Sequence, residues 1–141
     1  MKAMEISLSG LDVEWRRLEI IADNLANMNT VQTPDGGPYK AMRLISGPKT
    51  FEGHLSLGGE SRALNGVAVY GVETQDVVPR KVREPGNPLA DADGYVSYPN
   101  VDHATEMVLM VKTARAYEAN LVAMNAARQM YVKSLDMGRQ S

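Results

Sequence analysis

Residues 107–135 have the sequence MVLMVKTARAYEANLVAMNAARQMYVKSL, and residues 4–25 have the sequence MEISLSGLDVEWRRLEIIADNL. In both stretches a side chain suited to packing recurs at alternating steps of three and four positions, which is the heptad pattern of helices that pack along one stripe. The N-terminal stripe comprises Met4, Leu8, Leu11, Trp15, Leu18, Ala22 and Leu25. The C-terminal stripe comprises Met107, Met110, Ala114, Tyr117, Leu121, Met124, Arg128, Tyr131 and Leu135. Because an apolar stripe is unstable in water, the two ends must pair with each other, with other chains, or with both.

The helix boundaries follow from capping residues and helix breakers. We predict a first helix over residues 4–28, since the turn-forming segment 33–38 follows it. Asn100 or Asp102 is expected to cap a second helix that ends at about Met137, just before Gly138. The second helix then exceeds the first by about ten residues, or roughly 15 Å. This excess, and an additional apolar set on the first helix, are expected to need contacts from other subunits. That set comprises Ile6, Val13, Ile20 and Ile21.

The middle of the chain carries weaker strand signals. We predict strands at Tyr39–Ile45, at Val67–Thr74 with a bulge near Gly71, and at Gly94–Tyr98. Residues 79–90 are expected to be extended and irregular, and the Gly-rich residues 46–66 to form a long mobile loop or a loose hairpin. The predicted fold is mainly α with a small β region, in which the terminal helices form an antiparallel, coiled-coil-like hairpin. Residues 1–30 and 101–141 would form one discontinuous helical domain, and residues 31–100 an outer region.

Composition excludes several functions. Fifteen basic and 17 acidic residues give a net charge of −2 without a basic block, so nucleic-acid binding lacks its electrostatic signature. The chain has no cysteine, which excludes disulfides, thiolate catalysis and cysteine metal sites. Acidic residues interrupt the N-terminal apolar pattern, so we expect no cleaved signal peptide. The longest strongly apolar run, Met107–Val111, is far too short to span a membrane.

No set of residues predicts catalysis, a metal or a cofactor. His54 and His103 are the only histidines, and Ser7, Ser9 and Ser134 lack the setting of a nucleophile elbow. Residues 91–94 resemble half of a calcium loop, but the required carboxylates would fall on Leu89 and Asn100. An Asx-rich turn before a strand is therefore the preferred interpretation of that segment.

Three asparagines and two aromatic residues leave alternatives open. Asn is unfavourable inside helices, so Asn24, Asn27 and Asn120 are either solvated or capping residues, or they set the helix register through hydrogen bonds. An antiparallel hairpin would place Asn120 nearer Arg16 than Asn24. A bond between Asn24 and Asn120 would therefore join different subunits. Trp15 and Tyr117 lie either in the helix core of the single chain, which is the preferred interpretation, or in a core that is buried only after assembly.

Several motifs resemble those of one known family. Residues 9–11 (SGL), 17–27 (RLEIIADNLAN) and 29–30 (NT) are similar to the N-terminal signature of bacterial flagellar rod and hook axial proteins. Residues 114–120 (ARAYEAN) resemble their C-terminal signature. Further resemblance to proximal-rod members lies in GPYK at 37–40, EPGNPLADADGYV at 84–96, PNVD at 99–102 and EMV at 106–108. The resemblance covers nearly the whole chain apart from about residues 46–65.

The resemblance implies a structural subunit of the basal-body rod, the drive shaft that transmits torque from motor to hook and encloses an export channel. The expected partners are copies of this chain, other rod proteins, the flagellar type III export apparatus, and components of the MS ring or its adaptor. The expected location is the periplasmic rod, reached without a cleaved signal peptide. Subunits would meet head to tail, with helical symmetry. The expected interface residues are Leu8, Leu11, Trp15, Leu18, Asn24, Leu25, Asn27, Met110, Arg115, Tyr117, Asn120, Leu121, Met124 and Tyr131.

An enzyme and a binding adaptor are the two alternative functions. An enzyme acting on cell-wall material would need a convergent catalytic set, which the sequence lacks. A soluble helical-hairpin adaptor would share the heptads, but it predicts a stably folded monomer. The structural subunit is therefore the preferred prediction.

Overall fold

Long helices occupy both ends of the computed structural model, which describes residues 2–49 and 65–139. The elements follow in the order α1 (Lys2–Ala26), β1 (Met42–Pro48), β2 (Val67–Thr74), β3 (Arg80–Arg83), β4 (Tyr95–Tyr98) and α2 (His103–Arg139). The helices are antiparallel, since Asn24 near the end of α1 contacts Glu106 near the start of α2, and Gly10 lies against Asn120. The predicted mainly helical fold with a small β region is confirmed.

Asp102 caps the start of α2. Its carboxylate accepts hydrogen bonds from the Thr105 hydroxyl and from the Ala104 backbone N–H at 3.2 Å. These bonds, the Thr105 hydroxyl first, lower the pKa of Asp102. At its other end the helix continues through Gly138 to Arg139. The predicted end before Gly138 is therefore wrong by two residues, which is the usual uncertainty of a helix terminus.

Strands β1 and β2 form an antiparallel pair with a bulge. Ile45 pairs with Gly71 and Ser46 with Val69, so β2 carries one extra residue beside the predicted bulge position. The first strand begins at Met42 and ends at Pro48, three residues later at each end than predicted. A Cβ at Gly47 would lie 2.6 Å from the Tyr70 ring, so this glycine marks a close approach within the sheet and not a loop. The rest of the predicted Gly-rich loop, residues 50–64, lies outside the described residues.

Strands β3 and β4 form a second antiparallel pair, with Val82 opposite Val96. The first of these strands lies within residues 79–90, which the sequence predicted to be irregular, so that prediction is wrong for Arg80–Arg83. Proline is tolerated at the edges of strands, and here Pro79 and Pro85 only bracket the strand. Val96 is 1% exposed and forms the centre of this smaller unit.

Helix α1 is covered on two sides, by α2 and by the β1–β2 sheet. Val13 and Ile21, which belong to the additional apolar set, are each 3% exposed, so the chain itself covers part of this set. The prediction that this face needs other subunits is therefore wrong for these two residues. The apolar residues left exposed on α1 are instead Leu8 and Trp15, from the predicted main stripe.

Each predicted heptad stripe consists of two rows of residues, and only one of these rows packs between α1 and α2. Leu11, Leu18 and Leu25 on α1, and Met110, Tyr117 and Met124 on α2, are buried or half-buried as the heptads predict. The other row of each heptad is replaced by residues one position earlier in sequence. We call the replaced row the outer row. Its members are exposed except for the half-buried Ala114, and they are Leu8, Trp15 and Ala22 on α1 and Met107, Ala114, Leu121 and Arg128 on α2. We call the row that packs in its place the inner row; its members are Ser7, Glu14 and Ile21 on α1 and Glu106, Thr113, Asn120 and Ala127 on α2.

Two contacts define the register of the hairpin. Asn120 packs on Gly10, and the contact between Asn24 and Glu106 fixes the alignment further along the helices. Asn120 therefore lies nearer Arg16 than Asn24, as predicted. A Cβ at Gly10 would lie 2.8–2.9 Å from the Asn120 amide atoms, so only glycine allows this approach without a shift of Asn120. The same spacing places the first turn of α1 opposite about Arg128.

Candidate assembly interface

The last part of α2 extends beyond α1. Helix α2 has 37 residues and α1 has 25, a difference of about 18 Å at 1.5 Å per residue. Every residue from Arg128 to Arg139 is exposed, and we call this segment the α2 tail. Its large apolar side chains are Met130, Tyr131, Val132, Leu135 and Met137. The predicted excess length of α2 over α1 is therefore present in the structure.

The outer row adds a second exposed apolar surface, on the paired part of the helices. Leu8 is 59% and Trp15 55% exposed on α1, and Leu121 is exposed on α2. The Trp15 and Tyr117 rings lie 6.2 Å apart at an angle of 52°, which joins the two helices along this flank. The prediction that Trp15 lies in the core of the chain is wrong, because the helices turn the inner row toward each other. Its indole N–H donates instead to Glu19 at 3.0 Å.

A buried polar cluster holds the opposite, closed end of the hairpin. The Asn24 side chain is completely buried and donates to the Met42 carbonyl at 2.9 Å and to the Glu106 carboxylate at 3.2 Å. Its amide oxygen accepts from the Tyr39 hydroxyl and from the Met42 backbone N–H, both at 2.9 Å. All four hydrogen-bonding positions of the amide are therefore used within one chain. We call Asn24, Tyr39, Arg43 and Glu106, with the Met42 backbone, the Asn24 cluster.

The charge of Glu106 is balanced inside the Asn24 cluster. Glu106 is 1% exposed, and the Arg43 guanidinium donates to its carboxylate. A buried carboxylate without such a partner would be strongly unfavourable. Burial, followed by the nearby carboxylates of Asp23 and Glu106, raises the pKa of the Tyr39 hydroxyl. Neither Arg43 nor Glu106 stands out in the sequence as a structural residue. The available signal is that Glu106 lies one position before Met107, the first residue of the predicted C-terminal stripe.

The cluster changes the interpretation of the three asparagines. A bond between Asn24 and Asn120 of another subunit would have to displace an existing partner of Asn24, so the structure does not support it. Asn27 behaves as a capping residue, since its side chain donates to the Asp23 carbonyl at 2.9 Å and accepts from Thr30. Asn120 donates to the Ala116 carbonyl at 3.1 Å while packing on Gly10.

Two further contacts attach α1 to the sheet. The Arg17 guanidinium donates to the Ser46 hydroxyl at 2.8 Å and to the Leu44 carbonyl at 3.4 Å. The Ser9 hydroxyl accepts the Val67 backbone N–H at 3.0 Å and donates to the Ile6 carbonyl at 2.7 Å. Ser9 therefore has a structural role. These contacts fix which side of α1 faces the sheet, and so limit the sides that are open to a neighbour.

The structure divides the predicted interface residues into three groups. Leu11 and Asn24 are buried within the chain. Leu18, Leu25, Asn27, Met110, Tyr117, Asn120 and Met124 are half-buried. The exposed group comprises Leu8, Trp15, Arg115, Leu121 and Tyr131. Arg115 forms only a surface ion pair with Glu118 at 3.2 Å.

The described residues provide no centre for metal chemistry. Residues 2–49 and 65–139 contain no group of three or more His, Asp or Glu side chains placed to hold a metal ion. Asp91 accepts the backbone N–H groups of Asp93 at 3.1 Å and Tyr95 at 2.8 Å, as expected for an Asx-rich turn. The Tyr95 N–H contributes most to lowering the pKa of Asp91. Within the same described ranges, no helix is both long and apolar enough to cross a membrane.

Two family models match the terminal parts of the chain. The model described as "Flagella basal body rod protein" matches residues 4–31, which include most of α1. The model described as "Flagellar basal body rod FlgEFG protein C-terminal" matches residues 92–137, which include β4 and most of α2. The two matches therefore cover the antiparallel helices that carry the exposed apolar surfaces.

Relatives named "Flagellar basal-body rod protein FlgC" match the chain over nearly its full length. The relative from Salmonella typhimurium is 38% identical over 99% of this chain and 98% of its own length. The relative from Bacillus subtilis is 37% identical over 97% of each chain. The relative from Borreliella burgdorferi is 34% identical over 94% of this chain and 93% of its own. Their name is that of a structural rod protein and not of an enzyme, in agreement with the sequence analysis.

Proposed function

The chain belongs to the FlgC family of flagellar basal-body rod proteins, and we propose that it joins the rod through its outer row and α2 tail. It is a structural subunit of the flagellar basal-body rod. The observation that carries the interface proposal is the exposure of large apolar side chains on helices that the chain leaves partly uncovered. Surfaces of this kind on a soluble subunit are typical of protein–protein contacts.

The proposed partners are copies of this chain and neighbouring rod proteins. The two open surfaces have different residues and lie at different places on the hairpin, so we propose that the α2 tail of one subunit contacts the outer row of the next. Repeated heterologous contacts of this kind generate a helix that does not close. We propose that the terminal helices, residues 1–30 and 101–141, line the inner tube around the export channel. Residues 31–100 would then face outward.

The burial pattern assigns different roles to the predicted interface residues. Leu8, Trp15, Leu121 and Tyr131 are the proposed direct contacts, because their side chains are exposed. Arg115 is proposed to contact a neighbour by charge, and the half-buried group to complete the contact surface at its edges. Leu11 and Asn24 support assembly indirectly, because they hold together the hairpin that presents the other residues.

The remaining proposals concern delivery and location. We propose that the subunit is exported by the flagellar type III apparatus without a cleaved signal peptide, and that its rod lies in the periplasm next to the MS ring or its adaptor. Two features support export in an unfolded state. The chain has no cysteine that could cross-link it, and its hairpin buries few large apolar residues among the described positions.

A substitution that introduces a charge into the α2 tail tests the proposed interface. The Leu135→Asp variant is expected to abolish rod assembly, because it places a carboxylate in an apolar contact, and to leave the chain's helicity unchanged. Isolated basal bodies viewed by electron microscopy, together with swimming motility, measure assembly. Gln129→Asp is the matched control, because it adds the same charge at an exposed polar position, about 120° around the helix from Leu135. Normal rods with Leu135→Asp would contradict the proposed interface.

A further inference from the structure

We propose that the Asn24 cluster determines which side of each terminal helix packs inside the hairpin, and thereby keeps the more apolar outer row available to neighbouring subunits. This inference rests on the proposed function. It assigns Asn24 and Glu106 a positioning role: they select between two possible packings and contribute little to the strength of either.

Each helix carries two rows that could complete the hairpin. On α2, the row that packs inside contains Glu106, Thr113 and Asn120, while the row one position later contains Met107, Ala114 and Leu121. On α1, Ser7, Glu14 and Ile21 lie on the inner row, while Leu8, Trp15 and Ala22 lie on the outer row. Ile21 is the one large apolar residue of the inner rows, so hydrophobic burial summed over each row would still favour the outer rows inside. The structure has the reverse arrangement, so another interaction must select it.

The apolar packing of α2 does not fix this choice. The only described residues of α2 that are buried are Glu106 and Thr113, both polar. Much of the remaining surface of the helix is alanine, at positions 114, 116, 119, 123, 126 and 127. Small, uniform side chains interlock weakly, so a rotated helix would find a similar fit.

The hydrogen bonds of the Asn24 cluster do discriminate between the two packings. Asn24 uses both of its donors and accepts two hydrogen bonds at an amide that has no solvent exposure. Advancing α1 by one residue turns the side chain by about 100°, which would break these bonds. Rotation of α2 would separate Glu106 from Arg43 and Asn24. Buried polar groups without partners are costly, so the cluster penalises the alternative packing.

A role in selection differs from a role in stability. Replacing a buried ion pair by apolar side chains often leaves a protein equally stable, whereas single buried polar residues can specify helix register. The Asn24→Leu/Glu106→Leu variant should therefore still form helices, but it should lose the preference for the inner rows. Its outer-row side chains would then be partly buried between α1 and α2 and would no longer be available to neighbouring subunits.

Disulfide trapping measures whether the inner or the outer rows pack inside the hairpin. The natural chain has no cysteine, so only introduced pairs can form a disulfide. A Gly10→Cys/Asn120→Cys pair reports the observed packing, since a Cβ at Gly10 lies 2.8–2.9 Å from the Asn120 amide atoms. A Leu8→Cys/Leu121→Cys pair reports contact between the outer rows. In the purified full-length chain we expect the first pair to oxidise in preference to the second. The trapping ratio is the disulfide yield of the Gly10→Cys/Asn120→Cys pair divided by that of the Leu8→Cys/Leu121→Cys pair. In the Asn24→Leu/Glu106→Leu background this ratio should fall by about fivefold or more, because a net hydrogen-bond contribution of ~1 kcal/mol corresponds to that factor.

Glu106→Gln is the matched control, because it removes the charge but keeps a side chain that can accept from Asn24. It should retain the trapping ratio of the parent, while Glu106→Leu alone should lower it. An unchanged ratio in the double leucine variant would overturn the inference, as would equal trapping of both pairs in the parent. Loss of helicity in every leucine variant would also overturn it, since the cluster would then be needed for folding itself.

The two proposals can fail separately. Trapping is measured on the chain alone, whereas the Leu135→Asp test is measured on assembled rods. If Leu135→Asp blocks assembly and the trapping ratio does not respond to the leucine substitutions, only the selection role is wrong. If trapping responds and Leu135→Asp rods are normal, only the proposed interface is wrong.

Discussion

The two ends of the helical hairpin have opposite chemistry. At the closed end, the carboxylate of Glu106 and the amide of Asn24 are buried and fully hydrogen-bonded. At the open end, the α2 tail exposes tyrosine, leucine, valine and methionine side chains to solvent. A monomer built only for its own stability would have the reverse arrangement. This difference agrees with the proposal that burial in the single chain serves alignment, while much of the apolar surface serves contacts with other subunits.

The closed end also joins elements that are distant in sequence. Asn24 and Glu106 are 82 positions apart. Arg43 connects α2 to the first strand, and the bonds between Asn24 and Met42 connect α1 to the same strand. Toward the open end, the long-range hydrogen bond from the Val67 backbone N–H to the Ser9 hydroxyl is exposed to solvent. We therefore expect substitutions at the closed end to affect the subunit itself, and substitutions at the open end to affect assembly.

The largest expected effect comes from the Arg43→Ala substitution at the closed end. It leaves the carboxylate of Glu106 buried without its cationic partner. We expect the free energy of unfolding to fall by about 3 kcal/mol, near the lower limit for a broken buried pair, because Arg43 is 30% exposed. Urea unfolding of the purified chain, followed by circular dichroism, measures this change.

Arg115→Ala is the control for Arg43→Ala, because it also removes an arginine from an ion pair. Both partners of that pair are largely exposed, and we expect a loss of only about 0–1 kcal/mol. If the two substitutions lowered the free energy of unfolding equally, the ion pair at the closed end would be no more stabilising than an ordinary surface ion pair.

A smaller effect on stability is expected from Trp15→Ala in the outer row. Replacing a buried aromatic residue by alanine costs about 3–5 kcal/mol, but Trp15 is 55% exposed in the single chain. We therefore expect the free energy of unfolding to fall by about 1 kcal/mol or less, together with a clear loss of rods and motility. A large loss of stability in the isolated chain would show that Trp15 belongs to the protomer core after all.

The smallest effect is the pH dependence of the cap beside the closed end. Hydrogen bonds depress the pKa of Asp102 in the folded chain below its ordinary value of 3.8. The ionised carboxylate therefore stabilises the folded state above pH 3.8, and this contribution is lost as the pH falls through the depressed pKa. Amide hydrogen exchange at the start of α2 should become faster in that range, and exchange in the α2 tail should show no matching change.

Asp102→Asn is the control for the pH prediction. Asparagine caps helices about as well as aspartate but does not titrate. The difference in stability between the parent chain and this variant should therefore shift as the pH is lowered below 3.8. A difference that is constant with pH would show that the charge of Asp102 has no role in the cap.

The sequence predicted the long-range architecture better than the local contacts. Heptads reveal that two segments are helical and amphipathic, and the strand Val67–Thr74 was predicted with the bounds that the structure has. The Arg80–Arg83 strand was missed because prolines flank it, and Ser46–Pro48 was missed because glycine and serine also occur in loops. In both cases the pairing with a distant strand outweighs local preference.

The inner row could not be predicted from periodicity. A pattern of apolar residues identifies which side chains avoid water, but it does not say whether the same chain or a neighbour covers them. Leu8 and Trp15 satisfy the heptad as well as Leu11 does, and contacts with residues distant in sequence, such as those of Asn24 and Arg17, decide between the sides. The residues that fix the arrangement, Arg43 and Glu106, look like ordinary surface charges in the sequence.

The α2 tail has a consequence for how growth begins. A segment of about 12 residues is near the shortest length at which an isolated helix is stable in water, so the tail depends on the paired part of α2 for its helical form. Two free subunits in solution would cover only part of it and would recover little of the entropy lost on ordering. A growing rod tip that encloses the whole tail at once would bury more of its apolar surface, and this larger burial would offset the entropy lost on ordering. We therefore expect slow spontaneous nucleation and rapid elongation from an existing end.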